Sequence, residues 1–193
     1  MARRPSLQAG VAAGLVVVTA GVWWWGHDGG TDTDPRVVIE GVGDTGAVET
    51  APDITNRSLP GDVSVLGTDG LAHTLASLAD TPIVLNVWAS TCAPCRQEMP
   101  ALQAFAAEYA GRVGVVGIDP LDSHTEMTAF ADELGVTYPL YRDPNGMVQV
   151  EFGIADLPTT LFVRADGTIA AVHIGALGAE ELKALVASEL DVG

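Results

Sequence analysis

The sequence predicts an α/β sandwich in which a central mixed sheet is flanked by helices. Short apolar runs that suit buried strands, residues 83–88 and 113–118, alternate with longer runs of helical spacing. The triplets Thr68-Asp69-Gly70 and Ala165-Asp166-Gly167 each separate two strand-like segments, which predicts antiparallel hairpins beside the parallel strands. Finally, 193 residues with 48% hydrophobic content can bury a core without covalent staples, so the two cysteines are free for chemistry.

Taken in order, residues 1–6 carry Arg3 and Arg4, and residues 7–25 (LQAGVAAGLVVVTAGVWWW) carry no charge. At ~1.5 Å per residue that run matches a ~30 Å hydrocarbon core. Trp23, Trp24 and Trp25 suit the headgroup region, and the arginines keep the N-terminus in the cytoplasm. The expectation is a cytoplasmic tail, a single-pass cell-membrane anchor over 7–25, and everything beyond it outside. The competing reading is a signal peptide. No small-x-small cleavage site follows the tryptophans, no cysteine follows for lipid attachment, and the twin arginines are followed by Pro5 and Ser6 rather than apolar residues. Residues 26–50, rich in Gly, Asp and Thr, read as a flexible acidic linker. The folded domain is assigned to 51–193, with its first ordered element between 51 and 62.

Within that domain, residues 63–66 and 71–75 form the first hairpin, and 75–78 a short helical turn. Residues 83–88, bounded by Pro82, are the central buried strand. Met99, Leu102, Phe105, Ala106 and Tyr109 recur at helical spacing until Gly111 ends the helix. Strand 113–118, helix 125–134 ended by Gly135, strand 138–141 and a further helical turn at 147–152 follow. Residues 160–163 and 168–174 make the second hairpin, and 178–190 the closing helix.

Chemistry concentrates at the junction of strand 83–88 with the next helix. Cys92 and Cys95 flank Ala93 and Pro94, and Pro is tolerated in a first helical turn because its missing N–H has no intrahelical partner there. Cys92 therefore falls where free N–H groups and the positive end of the helix dipole stabilise a thiolate. Cys95, one turn inward, can close a disulfide on it. This implies thiol–disulfide exchange through a mixed disulfide. Zinc is disfavoured because no second CxxC or paired histidines exist. A purely structural disulfide is disfavoured because so short a loop gains little entropy. A net charge of −16 argues against nucleic-acid partners. No cofactor motif is present, so none is expected.

The strand-CxxC-helix unit, Leu157-Pro158-Thr159-Thr160 before a strand, and the final hairpin and helix together resemble the thioredoxin superfamily. The N-terminal hairpin, the long central insertion between Asp119 and Asp143, and WASTCAPCRQEMP resemble its membrane-anchored TlpA/ResA type of extracytoplasmic protein. The resemblance covers residues 51–193. It implies that Cys92 is the exposed nucleophile, Cys95 the buried resolving thiol, and Pro158 a cis-proline that leaves the Leu157 backbone free for an extended substrate. It also implies that Glu98 tunes the thiols, whereas the residues alone allow a solvated carboxylate complementing the helix dipole. Asn86 stands where thioredoxin has a buried acid, and Thr91 replaces the family's usual Trp, which bears on partner choice. Trp88, Thr91, Pro94, Leu157 and Pro158 are the candidate substrate-binding residues, although the apolar setting of Trp88 also suits the core.

The expected activity is an extracytoplasmic, membrane-tethered protein-disulfide oxidoreductase. Resemblance to the ResA and cytochrome c maturation branch favours a reductant fed by a membrane electron donor. Its expected partners are that donor (or acceptor) and protein substrates bearing disulfides or thiols. The alternative is a copper-binding chaperone using both thiolates, for which His173 is the histidine to watch.

Overall fold

The computed structural model describes residues 53–190 and Val192. Its elements run β1 (Ser64–Gly67), β2 (Ala72–Thr74), a 3-10 turn (Leu75–Leu78), β3 (Ile83–Val87), α1 (Ala93–Glu108), β4 (Gly114–Asp119), α2 (His124–Leu134), β5 (Leu140–Arg142), α3 (Met147–Phe152), β6 (Thr159–Val163), β7 (Ile169–Ile174) and α4 (Ala179–Glu189). The seven strands form one sheet in the order β2-β1-β5-β4-β3-β6-β7. The β3/β4 and β4/β5 pairs are parallel, and the remaining pairs antiparallel. This is the mixed, helix-flanked sheet that the sequence predicts.

Because side chains alternate along a strand, β3 feeds two cores. Val84 and the following Trp88 join Cys95, Met99, Leu102 and Phe105 of α1, Met127 and Phe130 of α2, and Leu182 and Val186 of α4. Ile83, Leu85 and Val87 join Val65, Leu75, Val148, Phe152 and Leu161 on the opposite face. Asn86 has the parity of Val84, so it is the one polar side chain that β3 directs toward α1. It is fully buried.

The helix ends follow local chemistry. Ser123 caps α2 by accepting from Glu126 N while Glu126 reaches back to Ser123 N, and Gly135 ends the helix at φ 67°. Pro100 lies inside α1 and removes one hydrogen bond from its ladder. Near the start of the described residues Ile54 and Leu59 are buried, and Asn56 N donates to Ile169 O at 2.8 Å.

The cytoplasmic tail, the anchor over 7–25 and the linker over 26–50 lie outside the described residues. Among the described residues no helix is long and apolar enough to cross a membrane.

Candidate functional site

The chain leaves β3 through Trp88, whose N–H donates to Ile118 O, and turns at Ala89 to Cys92, where Cys92 N donates to Ala89 O at 3.1 Å. That turn delivers Cys92 as the N-cap of α1, with Ala93 and Pro94 as its first two helical residues. Cys92 and Cys95 are joined in a disulfide across a Cα–Cα distance of 5.3 Å. The two halves differ in environment. Cys92 is half-buried and its sulfur accepts the Cys95 N–H at 3.2 Å, whereas Cys95 is fully buried. Thr91, Ala93 and Pro94 are exposed around them. On reduction, the N–H donor and the helix dipole act on the Cys92 sulfur, the one that incoming molecules can reach.

Glu98, one helical turn beyond Cys95, is only 1% exposed. Its Oε1 accepts Asn86 Nδ2 at 2.7 Å and its Oε2 accepts Leu177 N at 3.0 Å. Burial pushes its carboxyl up to about 7, and the Leu177 and Asn86 donors hold it back from going further. The solvated-carboxylate alternative therefore does not describe this residue. Asn86 Nδ2 also donates to Thr160 Oγ1 at 3.0 Å, so one amide ties α1 to both β3 and β6. Burial raises the Tyr138 phenol, and the Glu98 charge adds to that in second place.

The Leu157–Pro158 peptide bond is cis, as the resemblance implied. Pro158 is buried and its carbonyl accepts Gly175 N at 2.8 Å. Leu157 is half-buried and packs, like Cys92, against the core that includes Cys95. None of the described backbone hydrogen bonds that link loops and turns uses its N–H or C=O.

Trp88 requires a correction: it is fully buried and stacks on Phe130 at 5.3 Å between ring centroids, so it cannot touch a substrate. The parity of β3 sends it inward with Val84. Thr91 and Pro94 are exposed next to the two cysteines in sequence, and Leu157 is half-buried.

A second polar cluster went unread in the sequence. Asp122, 8% exposed, accepts Ser90 N at 2.6 Å on one carboxylate oxygen and Ser90 Oγ at 2.9 Å on the other. Asp119, fully buried at the end of β4, accepts Leu121 N and Asp122 N, both at 2.9 Å. Its carboxyl is pushed up to about 7, chiefly by burial and next by the Asp122 carboxyl beside it. The signal available in the sequence was an Asp ending an apolar strand with a second Asp three residues on.

His173, on β7, has Nδ1 3.9 Å from Glu181 Oε1, and burial lowers its pKa. Among the described residues no group of three or more His, Cys, Asp or Glu side chains is placed to hold a metal ion.

A profile of the AhpC/TSA family matches residues 49–172. Thioredoxin-like protein YneN of Bacillus subtilis (strain 168) is 30% identical over 138 residues, covering 70% of this chain and 75% of that protein. Thiol-disulfide oxidoreductase ResA of Oceanobacillus iheyensis is 32% identical over 136 residues, covering 70% and 68%. Among solved structures, a secreted Mycobacterium tuberculosis disulfide oxidoreductase homologous to E. coli DsbE superposes with a TM-score of 0.59 at 27% identity, over 65% of this chain and 95% of that one. With its mixed sheet, helix-capping disulfide and matched residues, the chain belongs to the AhpC/TSA family as a thioredoxin-like member.

Proposed function

We propose that this thiol-disulfide oxidoreductase is a membrane-tethered, extracytoplasmic reductant of protein disulfides. The observation that carries the exchange chemistry is the asymmetry of the pair: Cys92 half-buried at a helix N-terminus with a donor on its sulfur, and Cys95 fully buried behind it. In the reduced protein the Cys92 thiolate attacks one sulfur of a substrate disulfide and expels the other as a thiolate. Cys95 then gives up its proton and attacks the Cys92 sulfur. The mixed disulfide breaks, the second substrate thiol leaves, and the Cys92–Cys95 disulfide closes. Two electrons pass to the substrate, whose two sulfurs leave as thiols.

Glu98 acts on the thiols from within the core. A negative charge one turn from Cys95 opposes a second negative charge on sulfur, which favours the disulfide over the dithiolate and so favours giving electrons up. Thr91, Pro94 and Leu157 form the substrate rim, with Pro158 setting the Leu157 backbone to pair with an extended segment. By resemblance to the ResA and cytochrome c maturation branch, the substrate is a protein disulfide outside the membrane, and the electrons come from a membrane donor that reduces Cys92–Cys95 again.

The midpoint potential of the pair, equilibrated against dithiothreitol or glutathione buffers, tests the direction. A value at or below about −200 mV is expected of a reductant, and a value near −120 mV, that of the strong oxidant DsbA, would overturn it.

A further inference from the structure

Outside the dithiol, the largest concentration of buried charge among the described residues is Asp119 with Asp122, and what it grips is the loop that presents Cys92. Asp122 places both carboxylate oxygens on Ser90, two residues before Cys92, one on the backbone N–H and one on the hydroxyl. Asp119 closes the turn beneath it by accepting two backbone N–H groups on Oδ1. Its Oδ2 is buried without a donor among the described residues, and the Asp122 side chain interacts with the Asp119 carboxyl. An anionic oxygen left so would be costly, and two neighbouring carboxylates cannot both be ionised cheaply.

Four titratable groups lie around the pair, and the described hydrogen bonds bring none of them onto Asp119 Oδ2. At the end of β5, Arg142 spends its Nε–H on the Asp122 backbone carbonyl at 2.9 Å; the next residue, Asp143, accepts Val148 N on Oδ2, and its Oδ1 is buried without a donor among the described residues. On α2, Glu126 adds a negative charge that is exposed and held by the Ser123 cap, and His124 is exposed at the helix start. The β3 loop contributes the neutral Ser90, followed by Cys92.

We propose that Asp119 and Asp122 are a positioning pair for the Cys92 loop, in which a proton on Asp119 Oδ2 bridges to the Asp122 carboxylate while that carboxylate holds Ser90. The inference rests on the oxidoreductase reading for its purpose. Asp119 has the pKa of such a bridge: raised to about 7, it keeps its proton in mildly acidic solution and loses it as pH rises. Deprotonation sets two anions against each other, the grip on Ser90 loosens, and the N-cap geometry of Cys92 loosens with it.

Backbone hydrogen exchange of the full-length protein, followed by mass spectrometry on peptides spanning Ala89 to Cys92, reads the grip directly. After correction for intrinsic rates, protection of this loop should fall at least about fivefold between about pH 6 and about pH 8.5 in the wild type. Asp119→Asn, whose amide donates to Asp122 at every pH, should keep protection at both. Asp122→Asn, whose neutral amide offers one acceptor oxygen in place of two charged ones, should show lowered protection at both, and Ser90→Ala, a milder change, should show a partial loss even if Asp122→Asn folds poorly. In the same samples the rate of Cys92 alkylation in the reduced protein, scaled to thiolate fraction, should follow loop protection. A wild-type loop whose protection does not change with pH, an Asp119→Asn profile matching the wild type, or unaltered protection in Ser90→Ala would overturn the proposal. Exchange requires no disulfide substrate. Failure of the oxidoreductase reading would show instead as a wild-type protein that reduces no protein disulfide while its loop titrates normally.

Discussion

Glu98 is a carboxylic acid with an ordinary value of 4.5 carried into the buried interior, where Asn86 and the Leu177 N–H donate to it. Its folded-state pKa, about 7, lies above the unfolded one, so the folded chain binds that proton more tightly. The associated stability is complete below about 4.5 and is lost as pH rises through about 7, an effect on the order of 3 kcal/mol. Asp119 has a raised pKa of the same sign, so Glu98→Gln should reduce the fall in stability between about pH 5 and pH 8 without abolishing it. Urea unfolding at the two pH values measures this, and an unchanged slope would mean that Glu98 does not titrate in that window. The same substitution removes a negative charge beside the thiols. The iodoacetamide profile of reduced Cys92 should then move to a lower apparent pKa, and superimposed profiles would remove Glu98 from the redox site.

The first turn of α1 makes two unlike sulfurs from two identical residues. Cys92→Ser should abolish reduction of insulin disulfides, because no accessible nucleophile remains. Cys95→Ser should trap mixed disulfides with substrate proteins, because nothing resolves them. Equal alkylation rates for both cysteines in the reduced wild type would contradict the burial difference on which this rests. At the neighbouring strands, Gly117 is packed so tightly that an added Cβ would lie 2.5 Å from Leu140 Cδ2, 2.8 Å from Trp88 Nε1 and 3.3 Å from Tyr138 Cε2. Gly117→Ala should therefore cost about 1–3 kcal/mol, read as a lower urea midpoint with an unchanged m-value. A midpoint equal to that of the wild type would show that β5 and Trp88 yield more readily than their packing implies.

At the scale of the whole molecule, the question is where the redox domain works. Arg3, Arg4 and the uncharged run 7–25 motivate the expectation that the full chain sediments with membranes and that protease added from outside digests the domain. A wholly soluble protein with an N-terminus processed beyond Trp25 would refute the tether. The net charge of −16 of the chain also acts at this scale but leaves the dithiol little affected, since surface charges beyond about 8 Å are screened.

The sequence by itself determined the elements and the reacting pair, because those depend on local rules. Hydrophobic period placed β3, β4, α1 and α2, turn triplets placed both hairpins, and CxxC after a buried strand placed Cys92 at a helix start. The cis bond before Pro158 was legible through resemblance alone. Tertiary structure decided what depends on contacts between distant residues. Pairing of β1 with the inserted β5 gave the sheet its order. Strand parity sent Trp88 into the core and Asn86 toward α1, where its amide and the Leu177 N–H enclose Glu98. Asp119 and Asp122 look like loop residues in a string of letters. The turn after β4 brings their carboxyls together, but only packing of β4 beside the end of β3 buries them and sets Asp122 on Ser90, since burial is a property of the folded chain.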